Sequence, residues 1–348
     1  DLGRANQPWI RYYNYKEKYA SNPVIDILRE KPYEQRVAIM PFFQIPQLQA
    51  FHAEVYHKLW LQHHFPYYHI QSLNDAQDPR PAQEKTNYVT QVSRNITRYW
   101  QLTNTRLLFG MNTVQTPKGP ASFVDLLNGQ LDPLQRRFRV HTAFDLVQPG
   151  PGRTITAQTN ATGQFALIEF TGALPRTRLY SNWEVISDEK AALKRLADPQ
   201  FDPEQTVLIG TTVPPPAQGI TTNANPGTVD FARYSPKYIK LDVDTKVASV
   251  LLLNDRYQPD WKVWVNGQPA PLLRCNFIMR GVQVPPGKSV VEFRFQPPIT
   301  TLYVSLAAVA FGLGLVGFAA FARKPEEPSA PAPKEQPAPA GKDKRKSK

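Results

Sequence analysis

RYQPDWKVWVNGQPAPLLRCNFIMRGVQVPPGKSVVEFRFQP, residues 256–297, decides the fold. Strand alternation places Trp261 and Val263 on one face and Trp264 on the other. Asn266-Gly267 is the dipeptide that a two-residue hairpin demands, because both central positions need positive φ. A second tight turn at Pro286-Gly287 sends the chain into the alternating run VVEFRF. The segment therefore reads as consecutive antiparallel strands with one buried and one open face.

Directly downstream lies LYVSLAAVAFGLGLVGFAAFA, residues 302–322, an uncharged run closed by Arg323 and Lys324. At 1.5 Å per residue a helix over 301–322 matches a hydrocarbon core of roughly 30 Å. The basic pair and the GKDKRKSK ending (341–348) place the tail in the cytoplasm by the positive-inside rule. The bulk of the chain is then expected on the extracytoplasmic side. Ser305, Ala308 and Gly312 fall near one stripe of this helix, the residue sizes that let membrane helices approach closely. The chain begins at Asp1 without an export signal, so the expectation is either a removed signal peptide or, preferably, the C-terminal piece of a longer membrane protein.

Upstream of the deciding segment, strand-like runs at 164–171, 177–186, 206–210, 228–234, 237–244 and 247–254 alternate with Gly/Pro/Asn turns, the pattern of a β-sandwich of jelly-roll type. A helix with Ser187 as N-cap interrupts them. The first half is mixed. Asn22-Pro23 reads as N-cap and first helical residue, RVAIMPFF (36–43) as a strand, and Leu48, Phe51, Val55 and Leu59 as the apolar stripe of a helix across 46–62. A further helix is expected at 91–101 and a strand at 105–109. The predicted fold class is thus α+β: a 1–20 juxtamembrane linker rich in Tyr and Trp, a mixed α/β lobe over 21–160, a β-sandwich over 161–298, the membrane helix at 301–322, and a disordered Pro/Ala/Lys-rich tail over 323–348.

Composition narrows the function. The net charge is +12, but the tail from Arg323 holds eight Lys/Arg against four Asp/Glu, leaving +8 dispersed over the remainder. That spread suits a solvated basic surface near anionic lipid and argues against a nucleic-acid partner. The single cysteine, Cys275, excludes an intramolecular disulfide and any cysteine-rich metal site. Five of the six histidines crowd into 52–69, yet His52 and His57 are five apart and His63 and His64 are adjacent, spacings that diverge on a helix; no metal or other cofactor is expected. Asp242 and Asp244 share a strand face through alternation alone and read as solvent-facing charge, and Asp75 and Asp78 as turn residues beside Pro79. Phosphate loops, nucleophile elbows and zinc-protease helices have no counterpart in the sequence.

Aromatic residues interleaved with arginines remain. Flat rings pack on the apolar face of a pyranose, and planar donors or carboxylates bond its hydroxyls. Trp264, Trp261, Tyr257, Asp260, Arg256, Trp183 and Arg176 are the carbohydrate-binding candidates. Trp261 also suits a sandwich core, and Trp264, on the opposite face, is the freer of the two.

The order of these segments resembles the C-terminal region of bacterial YfhO-type membrane proteins. The resemblance rests on Y-x-P-x-W-x-x-x-x-x-G followed by V-x-V-P-x-G and an alternating strand in 257–296, on GALPRTRLYSNW (172–183), on LTNTRLLFG (102–110, with Leu107 where an aromatic is common) and on NPVIDILREKPYEQRVAIMP (22–41). It covers roughly residues 1–322. It implies a polytopic glycosyltransferase-like protein of the bacterial cell membrane that moves a sugar from a polyprenyl-phosphate carrier to an envelope acceptor. In that class the acidic catalytic residue lies in early loops, so no residue here is assigned catalysis. The expected role is a non-catalytic accessory region, with the upstream membrane domain, the lipid bilayer and a glycan or lipid-linked sugar as partners. The alternative is a stand-alone, membrane-tethered glycan-binding or scaffold protein.

Overall fold

In the computed structural model, two units are described: residues 2–10, 12, 14–31, 33–40, 52–75, 78–150, 154–214 and 226–296 of the first, and 297–322 of the second. The expected tail at 323–348 lies outside the described residues, as do Leu48 and Phe51 of the expected helical stripe.

The first lobe is built on a five-stranded sheet in the order Arg36–Ile39, Thr105–Met111, Phe165–Phe170, Phe138–Val147, Thr156–Thr159. Only the first pair is parallel, and helices fill the crossover that a parallel pair requires. Both faces are covered. Val24, Ile25, Trp60 and Phe65 from helices pack on one side and Trp100, Val124 and Leu127 on the other. The central strand Phe165–Phe170 is buried at every position, as two-sided burial dictates. It lies beyond the 160/161 boundary expected from the sequence yet belongs to the first sheet.

Asn22 caps its helix as its sequence implies, its side chain accepting from the Val24 and Ile25 amides at 3.1 and 3.0 Å. The 46–62 stripe is differently wound. Among the described residues His52–His64 forms a π-helix; its buried Val55 and Trp60 and, just past its end, Phe65 recur every five positions, with Tyr56 and Leu61 beside the first two. Leu59, assigned to the stripe on a 3.6-residue repeat, is only half-buried. The expected helix at 91–101 divides in two, Gln83–Val92 and Ile96–Leu102, because Asn95 caps the second by accepting from Arg98 N at 3.0 Å.

The second half is a sandwich, with one sheet strongly curled. Its six-stranded sheet runs Thr177–Tyr180, Ser249–Arg256, Met279–Val284, Leu273–Cys275, Val207–Ile209, Trp183–Val185. The two edge strands come from what reads as one strand at 177–186. Tyr180 and Trp183 can be no more than roughly 11 Å apart, whereas a flat six-stranded sheet would span roughly 24 Å. The sheet must curl until its edges nearly meet. Its inner face encloses Tyr180, Trp183, Leu252 and Cys275 with Leu193 and Leu196 of helix Glu189–Ala197. That helix is capped by Asp188, whose Oδ1 accepts from Ala191 N at 2.7 Å, one residue beyond the expected Ser187.

The outer face, with Leu179, Leu251, Leu253 and Val282, packs on Ile239, Leu241, Val291 and Phe293 of a five-stranded sheet. This second sheet has the order Gly227–Ser235, Tyr238–Thr245, Gly287–Phe295, Trp261–Val265, Gln268–Ala270. The hairpin that decides the fold is present, with Val265 opposite Gln268 and Asn266 and Gly267 both at positive φ (51° and 78°). Asp242 and Asp244 are exposed on the outer side of this sheet.

The second unit is described from Pro297 and carries helix Thr300–Ala322, 23 residues with no buried residue and a most apolar 18-residue window of mean hydropathy 2.2.

Candidate functional site: an arginine-walled cleft between lobe and sandwich

The seven carbohydrate candidates do not converge. Trp261 (8% exposed) sits in the core between the two sandwich sheets, with the Arg280 guanidinium 3.8 Å from its ring centroid. Trp183 is buried inside the curled sheet. Trp264 lies half-buried on the outer face under Arg294, at 4.7 Å. Arg256 is drawn into a surface ion network, 2.6 Å from Glu84, which also meets Arg274 at 3.4 Å; Arg274 in turn lies 5.9 Å from the Tyr257 ring. Asp260 accepts from the Gln258 amide at 3.3 Å beside the start of the Trp261 strand. Arg176 is the one of the seven that lines the cleft described next.

That cleft, about 710 Å³, opens where the first sheet meets the edge strands Thr177–Tyr180 and Gly227–Ser235. Its volume is in the range of small-molecule sites. Four cations, Lys31, Arg106, Arg139 and Arg176, line it against three carboxylates, Glu34, Glu169 and Asp230. Glu169 is nearly buried (5% of its side chain exposed) and is held from both sides. Arg106 donates through Nε to Oε1 at 2.7 Å, and Arg139 through Nε to Oε2 at 2.6 Å. Burial alone would raise its carboxyl, but the two arginines outweigh that and hold it below the usual range. The arginines themselves remain 54% and 63% exposed, so part of each guanidinium faces water.

Behind Arg176 lies a second cluster. Asp255, at the end of strand Ser249–Arg256, is 9% exposed and carries three arginines. Arg176 donates through Nη2 to Oδ1, Arg280 through Nη2 to Oδ2 at 2.8 Å, and Arg36 stands 3.6 Å from Oδ1. Arg36 also straps the first lobe to the sandwich, donating to Thr103 O at 2.7 Å, Asn254 Oδ1 at 2.8 Å and Asn254 O at 2.8 Å. Burial, then the neighbouring Arg176, pulls Arg36 down to about 9, so it stays cationic at neutral pH. Burial opposes ionisation of Asp255, yet Arg176, Arg280 and Arg36 together keep it below the usual carboxylate range.

Three buried cations on one carboxylate leave uncompensated positive charge where it is least screened. Arg176 Nε and Nη1 and Arg280 Nε are buried without a hydrogen-bond partner among the described residues, as is Oδ1 of Asn104 in the cleft wall. Asn104 uses its amide on Leu174 O at 2.8 Å and Glu34 O at 3.1 Å.

Among the described residues no group of three or more His, Cys, Asp or Glu is placed to hold a metal. What the cleft offers is fixed positive charge with planar donors and half-buried Phe231 at its rim. Sequence reasoning reached Arg176 as a residue of interest but not Arg36, Arg139, Asp255 or Arg280. Comparison of the chain with protein-family models, with curated proteins and with solved structures finds no match in any of the three.

Proposed function

We propose that this chain is the extracytoplasmic accessory region and membrane anchor of a YfhO-like integral membrane protein, assisting transfer of a sugar from a lipid-phosphate carrier to an envelope glycan. The observation that carries the reading is helix Thr300–Ala322, uncharged throughout and predominantly apolar, joined by residues 296–299 to the last sandwich strand. Its length, about 35 Å, exceeds the hydrocarbon thickness by a little, which a modest tilt absorbs. A helix with no buried residue and no charge has no stable place in water. The motif order in 22–41, 102–110, 172–183 and 257–296 supports the parentage, and the fixed positive charge of the cleft supports a holding role. Arg323 and Lys324 argue for a cytoplasmic tail in the bacterial cell membrane.

The test is expression in a bacterium followed by alkaline carbonate extraction and protease treatment of spheroplasts. The expected result is a carbonate-resistant chain whose 1–298 region is digested while a C-terminal epitope is protected. Release by carbonate, or digestion of the epitope, contradicts it. The upstream coding sequence separates the two parentages: many hydrophobic spans support the accessory region, a lone signal peptide the stand-alone tethered binding protein.

A further inference from the structure

We propose that the cleft between the first lobe and the sandwich binds a phosphate ester, through the exposed guanidinium groups of Arg106 and Arg139 in front of the buried Arg176 cluster. This deepens the accessory-module reading, on which the membrane setting of the ligand rests.

Three independent features of the cleft converge on an oxyanion. The first is the pair of arginines tied to Glu169. One carboxylate between two guanidinium groups fixes their positions at a low entropic cost and leaves one surplus positive charge. Arginine forks match phosphate oxygens in geometry, and these two are more than half exposed.

The second is the field behind them. Arg36, Arg176 and Arg280 share only Asp255, and their side chains are 17%, 2% and 4% exposed. Charge fixed in a dry environment is screened little by salt and acts across the cleft wall that Arg176 forms. A second anion lowers the energy of a cluster with too few carboxylates.

The third is unmet hydrogen-bonding capacity just beneath the same wall. Arg176 lacks acceptors at Nε and Nη1, and Asn104 lacks a donor at Oδ1. Buried below the cleft surface, the unpaired guanidinium N–H groups add uncompensated positive charge behind the wall rather than direct contacts to a ligand. Exposed Asp230 in the cleft lining is a further acceptor for hydroxyls. The cleft is too large for phosphate alone and has room for an attached ring. Glu34 does not spoil the balance, because Lys31 stands 3.7 Å from it.

The test uses the full chain in neutral detergent micelles, with glucose 1-phosphate, inorganic phosphate and glucose as probes by titration calorimetry. Glucose 1-phosphate is expected to bind and glucose not to. Arg106→Gln and Arg139→Gln are each expected to weaken binding about tenfold, the scale of a charge-assisted hydrogen bond. Lys190→Gln, on helix Glu189–Ala197 outside the cleft, should leave affinity unchanged. Thermal unfolding of each variant verifies that the fold persists.

Competition by micelles doped with phosphatidic acid identifies a lipid headgroup as the source. Competition by inorganic phosphate but not by those micelles identifies a soluble ester. Both support the shared phosphate chemistry. Absence of binding by all phosphate probes overturns the proposal, as does binding that a protein carrying both Arg106→Gln and Arg139→Gln retains. Neither failure alters the carbonate and protease results, so the cleft and the anchor stand or fall separately.

Discussion

Asp255 and Glu169 are each a carboxylate gripped by more than one arginine, and the cleft separates them. Around Asp255 every partner is buried or nearly so, and cations outnumber the carboxylate by two. Around Glu169 the carboxylate is buried while both arginines are solvated. The same chemistry thus does two jobs. In the dry cluster it joins strands from two lobes, since Arg36 comes from the first sheet and Arg176, Asp255 and Arg280 from the sandwich. In the wet cluster it holds cationic forks ready at a surface without leaving them desolvated. Burial, not residue type, decides which arginine is a pin and which is a ligand contact.

The comparison can be broken most forcefully at Asp255. Asp255→Asn strips the neutralising charge from three buried arginines, and breaking a buried pair in this way costs about 3–5 kcal/mol. Thermal unfolding of the full chain in micelles should show a midpoint lowered by about 10 °C. The pH dependence has a definite sign. Because Asp255 is held below its unfolded value, its contribution is present above about pH 4 and is lost as pH falls through the lower, folded value. Glu169 acts in the same direction. The acid limb of the wild-type stability curve should therefore flatten in Asp255→Asn.

Gly281 offers a smaller effect on the same dry cluster. A Cβ there would come within 2.6 Å of both the Leu251 carbonyl and Cys275 Sγ. Gly281→Ala must push apart the strands that bring Arg280 to Asp255, with a cost of about 1–3 kcal/mol expected in denaturant unfolding. If the variant is as stable as wild type, close strand spacing is not what holds that cluster.

What was legible in the sequence follows the range of the forces involved. The Asn266-Gly267 hairpin, the Asn22 cap and the apolar segment at 302–322 are local, and each is where its residues imply. The split of 177–186 onto opposite edges was hidden, because Ser181-Asn182 interrupts no apolar alternation strongly enough to mark a break. The π-helical stripe was missed by assuming 3.6 residues per turn, although Val55, Trp60 and Phe65 carry a five-residue spacing in plain view. Arg176 stood out among aromatics, but its partners Asp255, Arg280 and Arg36 belong to three strands distant in sequence. Alternation tells which face a residue takes and never which distant strand it meets.

The wet cluster should give the smallest stability effect. Arg139→Gln leaves Glu169 still paired with Arg106, so a loss under about 1 kcal/mol is expected, further reduced in high salt. A large loss would make Arg139 another pin.

The most direct measurement sets two variants side by side and reads two quantities, thermal midpoint and glucose 1-phosphate affinity, in the full chain. Arg139→Gln is expected to weaken affinity about tenfold while barely moving the midpoint. Asp255→Asn is expected to lower the midpoint by about 10 °C. An Arg139→Gln protein that binds as well as wild type, or one that unfolds as early as Asp255→Asn, contradicts the division between a structural cluster and a ligand-facing one.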